Sequence, residues 1–228
     1  MKILLLAHKL PWPLHDGYNL HNHHYVQQLH GRHEFHLVSL GTRAELPDGI
    51  ADWFASVHCI PAGQPPARSV PHRLTHAFDL DEFFDRDPVV QAAIDEVLAE
   101  HAIDAVWCSG AKMLVYSRSL GLPTLGDIAD EAAKEALHDL RMAWRRPFDV
   151  LGLAQAGRTF WNTWRWQRTF LEHADVCTVV SEADQATLGR NCPDLDVRVV
   201  PIGDNAARVA HTGREKNAPI PGFEGAMR

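Results

Sequence analysis

The stretch "KILLLAHKLPWPLHDGYNLHNHHYVQQLHGRHEFHLVSLG", residues 2–41, decides the fold. It opens on KILLLA (2–7), an unbroken apolar run such as a strand buried on both faces of a parallel sheet carries. Pro11 and Pro13 exclude a helix directly after it, and Asp16-Gly17 supplies a turn. From Asn19 to Leu29 the residues Leu20, Tyr25, Val26 and Leu29 recur near helical spacing, with Gly31 as a stop. HEFHLVSLG (33–41) reads as a second strand. Strand, helix and strand in close succession make a βαβ unit, parallel and right-handed.

The alternation continues outward from there. SVHCIPA (56–62) is a short strand, and the Pro- and His-rich residues 63–80 read as loop. Asp87-Pro88 caps a helix running to His101, with Val90, Ile94, Val97 and Leu98 on one face. Strands follow at 102–110, 122–130, 174–181 and 197–203, separated by a short helix at 112–121, a long helical region broken near Pro147 and Gly152, and a helix capped by Ser181. Six or seven strands alternating with helices predict an α/β fold, a Rossmann-like doubly wound parallel sheet. It occupies residues 1–205; residues 206–228 are polar and rich in Gly and Pro, a tail or truncated linker.

Composition narrows the function. A net charge of −7 argues against a binder of nucleic acid with a wholly basic surface. The charge is polarised: eight acids stand against one arginine between Asp81 and Asp104, and six arginines against Asp149 between Arg141 and Arg168. Cys59, Cys108, Cys177 and Cys192 form no C-x-x-C pair and read as buried thiols of a reducing compartment. The apolar start is stopped by His8 and Lys9, so it reads as a strand rather than a signal peptide, and the expected location is the cytoplasm.

Two features compete in the opening stretch. His21 and His24, with His8 or His15 nearby, have the spacing of a metal pair, but no H-E-x-x-H is present and fifteen histidines are scattered over the chain. They read as solvated or packing side chains, and no metal is expected. Gly17 stands where a helix begins and would let backbone N–H groups approach a phosphate or a sugar hydroxyl. There is no G-x-G-x-x-G, so a turn glycine without function is the plainer alternative. Further on, RMAWRRPFDVLGLAQAGRTFWNTWRWQRTFL (141–171) interleaves arginine with tryptophan. Phe160, Trp161, Trp164 and Leu171 share a helical face, which suits core or interdomain packing. The sharper reading is a membrane-surface patch of Arg145, Arg146, Trp161, Trp164, Arg165 and Trp166 against anionic headgroups, at the inner face of the plasma membrane.

Residues 2–40 resemble the opening of family 4 glycosyltransferases of the GT-B fold: strand, Pro-x-Pro turn, Gly-containing loop, helix ending in Leu, then His-Glu-x-His-Leu. FLEHADVCTVVSEADQATL (170–188) followed by VRVVPIG (197–203) is similar to a second block of that family, and LPTLGDIADE (122–131) occupies the place of an acidic strand-end motif. The closest look is to bacterial sugar transferases of exopolysaccharide production.

The resemblance implies the N-terminal, acceptor-side lobe of an enzyme that moves a sugar from a nucleotide-sugar to a saccharide or lipid-linked acceptor. The donor would be held mostly by a second, absent domain with a Glu-x7-Glu motif. It implies catalytic roles for Asp127 and Asp130, with a helix N-cap as the plain alternative for Asp130. It implies donor-phosphate or acceptor binding by Asp16, Gly17, Tyr18, Ser109, Ser181 and Glu182, with helix capping as the alternative for Ser181 and Glu182. The chain departs from the pattern at Asn19 and His21, where the family has basic residues, at Cys108-Ser109-Gly110, where many members carry a histidine, and at Ile202-Gly203-Asp204-Asn205. A non-catalytic sugar- or partner-binding module is the alternative; an oxidoreductase or epimerase is disfavoured, since the glycine fingerprint and a Tyr-x-x-x-Lys pair are both missing.

Overall fold

The computed structural model describes residues 1–61, 70–80, 86–118, 120–128, 132–145 and 148–201. Seven strands, β1 (Lys2–Ala7), β2 (Glu34–Leu40), β3 (Phe54–Ile60), β4 (Ala105–Ser109), β5 (Thr124–Asp127), β6 (Val176–Val179) and β7 (Val197–Val199), form one sheet in the order β3-β2-β1-β4-β5-β6-β7. Every pairing is parallel. The helices are α1 (Gly17–Leu29), α2 (Asp48–Ala51), α3 (Val70–Thr75), α4 (Pro88–Glu100), α5 (Leu114–Ser117), α6 (Ala132–Trp144), α7 (Val150–Phe170) and α8 (Glu182–Asn191). This is the doubly wound Rossmann-like sheet expected from the strand–helix alternation.

The strand alternation sorts the core into two faces. Leu5, Ala7, Phe35, Leu37 and Trp107 point to one face, where Val26 of α1 and Ala51 of α2 meet them. Leu4, Leu6, Val38, Val106, Cys108, Cys177 and Val179 point to the other, against Ile94 and Val97 of α4, Leu114 of α5, Trp166 and Phe170 of α7, and Leu188 of α8. That division is what right-handed crossovers on either side of β1 require. Among the described residues it leaves the first face over β4 to β6 with an apolar groove of about 440 Å³, lined by Ile3, Phe35, Trp107, Leu125 and Val176 with Asp127 and Thr178 in its wall.

Local signals explain the helix limits. Asp87 caps α4 by accepting the N–H of Val89 at 2.8 Å, with Pro88 as the first helical residue. The expectation for β3 was two residues late: Phe54, buried, pairs with Phe35 across a register shift at Phe35/His36. The expected loop 63–80 contains the helical turn α3, while residues 62–69 lie outside the described residues. The tail at 206–228 also lies outside them.

The long arginine- and tryptophan-rich helix corrects one expectation. Its buried side is Asn162, Thr163, Trp166, Gln167 and Phe170. Trp166 is 0% exposed and belongs to the core, so it is no part of a surface patch. The reason is helical geometry: Trp166 and Phe170 share the inward stripe four residues apart, whereas Trp161, Trp164 and Arg168 lie on the opposite side. There the Trp161 and Trp164 rings are 5.3 Å apart and the Arg168 guanidinium sits 5.1 Å over Trp164. No helix among the described residues is long and apolar enough to cross a membrane. The four cysteines are free, and burial pushes the Cys177 thiol up to about 12, which suppresses its reactive thiolate.

Candidate functional site

The strand order reverses between β1 and β4, the place where open α/β sheets leave a crevice at the carboxyl ends of their strands. The chain leaves β1 through His8, turns through Pro13, and enters α1 at Asp16. The Asp16 carboxylate accepts the N–H of Asn19 as the N-cap and also pairs with Lys9; these bonds, Lys9 first, hold its carboxyl below the usual range. Gly17 is the first helical residue, and a Cβ added there would meet nothing within 4 Å. The amino end of α1 is thus open above Gly17.

Tyr18 ties this loop to β4. Its hydroxyl donates to the Ser109 carbonyl at 3.0 Å and accepts the His8 N–H at 3.3 Å, and its ring packs on the His8 ring with centroids 4.0 Å apart. Desolvation raises the phenol, which stays protonated. The His8 imidazole is lowered, by burial first and then by the positive charge of Lys9. Ser109 Oγ donates to Asn22 Oδ1 at 2.7 Å, with both residues buried. Asn22 Nδ2 and His8 Nδ1 make no hydrogen bond among the described residues.

The glycine the geometry requires is Gly110 rather than Gly17. Gly110 has φ +84, and a Cβ there would fall 2.3 Å from His8 Nδ1. Gly110→Ala is therefore expected to cost about 2 kcal/mol or more, from left-handed backbone strain plus displacement of His8. Urea unfolding checks it; an unchanged midpoint would show that the β4–α5 turn relaxes freely.

One helical turn into α1, His21 Nε2 lies 2.8 Å from Asp127 Oδ2 at the end of β5, and Asp127 Oδ1 accepts the Thr178 hydroxyl of β6 at 2.8 Å. His21 and Asp127 are 5% and 4% exposed, so the pair is buried and shielded from bulk water. The Tyr25 ring stands edge-on to the imidazole at 4.3 Å. A carboxylate fixed on both oxygens sets the orientation and tautomer of its histidine, with the proton on Nε2 and the lone pair on Nδ1. The arrangement can take up a proton from a hydroxyl brought to it.

Asp127, Ser109, Tyr18, Gly17 and Asp16 thus cluster along the carboxyl edge of β1, β4 and β5. Ser181 does not add a free hydroxyl: it caps α8, donating to Asp184 Oδ2 at 2.6 Å and accepting the Asp184 N–H at 3.2 Å. Glu182 is exposed in the first turn of α8. Asp130, Arg146 and Ile202-Gly203-Asp204-Asn205 lie outside the described residues. The residue that sequence reasoning set aside is His21. The histidines were weighed as a metal cluster, and no group of three metal-ligating side chains occurs among the described residues. The usable signal was its place, four residues after the glycine that opens the helix.

Residues 16–203 match the family model of the glycosyl transferase 4-like domain. The chain belongs to that family. This glycosyl transferase 4-like domain forms one lobe of a GT-B fold. The lobe is similar to sucrose-phosphate synthase of Thermosynechococcus elongatus, with a TM-score of 0.54 and 15% identity over 91% of this chain and 49% of that one. It is also similar to HepE of Anabaena, solved with UDP and glucose, with a TM-score of 0.47 and 16% identity over 88% of this chain and 44% of that one. The domain therefore spans about half the length of the structures it resembles. No curated protein matches it in sequence.

Proposed function

We propose that this glycosyl transferase 4-like domain is the acceptor-side lobe of an enzyme transferring a sugar from a nucleotide-sugar to a saccharide or lipid-linked acceptor. Bacterial exopolysaccharide or cell-surface glycan synthesis at the cytoplasmic side of the membrane is the setting that fits. The observation that carries this reading is the His21–Asp127–Thr178 chain at the carboxyl edge of the sheet.

Glycosyl transfer needs the acceptor hydroxyl held in line and relieved of its proton, and the departing diphosphate stabilised. His21 takes the proton, and Asp127 steadies the imidazolium that forms. The open amino end of α1 at Gly17 and Tyr18 faces the diphosphate with backbone N–H groups and the positive end of the helix dipole. This reading calls for no metal ion. The nucleotide and most of the sugar are gripped by a second, donor-side lobe.

Calorimetric titration of the chain with UDP- and GDP-sugars tests the division of labour. A lobe offering only a helix terminus to the diphosphate should bind no more tightly than a Kd on the order of 1 mM. Micromolar binding by the chain alone would overturn the half-site reading.

A further inference from the structure

The strongest unassigned feature is the tip of the α6–α7 hairpin. Trp144 is 73% exposed, Phe148 99%, Val150 69% and Leu151 85%. Four large apolar side chains gathered at one turn are far from the scattered single exposures that ordinary surfaces carry. They stand at the free end of the hairpin: α6 and α7 pack on each other along their length, with the Gly157 position 4.0 Å from Leu140 Cδ1.

Charge at the tip is net positive. Arg141 in the last turn of α6 and Arg145 just past its end are both exposed. The only acid from Arg141 to Arg168 is Asp149, and its carboxylate is taken up in capping α7, accepting the Gly152 N–H at 2.9 Å. The mid-helix residues contribute less. Trp161 lies eleven residues, or roughly 16 Å, along α7 from Val150, and Arg165 is bound through its guanidinium to the Phe78 carbonyl at 3.0 Å.

We infer that the α6–α7 tip is a lipid-docking element: Trp144, Phe148, Val150 and Leu151 enter the headgroup–acyl boundary of an anionic membrane while Arg141 and Arg145 meet its headgroups. Charge complementarity selects the lipid surface. The chain as a whole is anionic, at −7, so attraction to an anionic bilayer has to come from a segregated cationic segment, and this is the segment where arginines surround apolar tips. Aromatic and aliphatic side chains backed by arginine suit the interface, where each arginine near an anionic surface contributes about fivefold in partition. The inference stands on the hairpin alone and does not depend on the sugar-transfer reading.

The test is co-sedimentation of the full chain with vesicles of phosphatidylcholine alone and of phosphatidylcholine containing about a third phosphatidylglycerol. Binding is expected only to the anionic vesicles, and 0.5 M salt should weaken it several-fold. F148S/L151S should reduce partition at least tenfold, and R141Q/R145Q by about 25-fold. Both variants change exposed residues and should keep the wild-type unfolding midpoint, and W161A should bind as wild type does. Three results overturn the inference: equal binding to both vesicle types, unchanged binding by F148S/L151S, or a dimer of the chain that F148S/L151S dissociates, which would assign the tip to a second copy.

Discussion

Trp166→Ala should lower the free energy of unfolding by about 3–5 kcal/mol, the range for truncating a buried tryptophan. The side chain is wholly buried in the larger core, where α7 meets the sheet, with its ring 5.9 Å from that of Phe170. Removing it deletes apolar surface taken out of water and leaves a void that surrounding strand residues cannot close without moving. A domain with the usual stability of roughly 5–15 kcal/mol would lose a large share of it. Trp161→Ala is the internal control: 46% exposed, it should lower the free energy of unfolding by less than about 1 kcal/mol. Equal effects at the two positions would show that the inward stripe of α7 has been assigned to the wrong side.

The second large effect concerns the His21–Asp127 pair. In an enzyme completed by its donor lobe, His21→Gln and Asp127→Asn should each reduce transfer by about 10²–10⁴-fold, the contribution of a positioned general base. Both replacements retain a hydrogen bond between α1 and β5, so the tie between them persists. The fall should lie in kcat with KM little moved. A buried histidine–carboxylate pair can also serve only to fasten a helix to a strand. In that case both variants would melt earlier and activity would track the folded fraction.

The parts of the fold that follow from local chemistry were legible in the residues. KILLLA could only be an interior parallel strand, and Asp87-Pro88 announced the start of α4 at the residue where it begins. The misplaced features depend on long-range geometry. β3 starts at Phe54 because Phe35, nineteen positions earlier in the chain, meets it across a register shift. Trp166 and Trp164 are alike in composition and two residues apart, and the turn of the helix alone sends one inward. The site divides the same way. Asp127 is readable as a strand-end acid, but its partner is 106 residues away, and only its place four residues after Gly17 sets His21 apart from His23 and His24. The demand for glycine at 110 is not local either: beside its φ of +84 stands the His8 ring, which the β1–β4 pairing brings to where a Cβ would lie.

The bare half-face over β4 to β6 has a practical meaning. Handedness sends the helices that follow β4 to the far side, so among the described residues none of them roofs the groove. Parallel sheets tolerate water on neither surface. A partner laid along that groove would take the half-buried Ile3 and Leu125 out of water without disturbing Phe35 and Trp107, which are buried already.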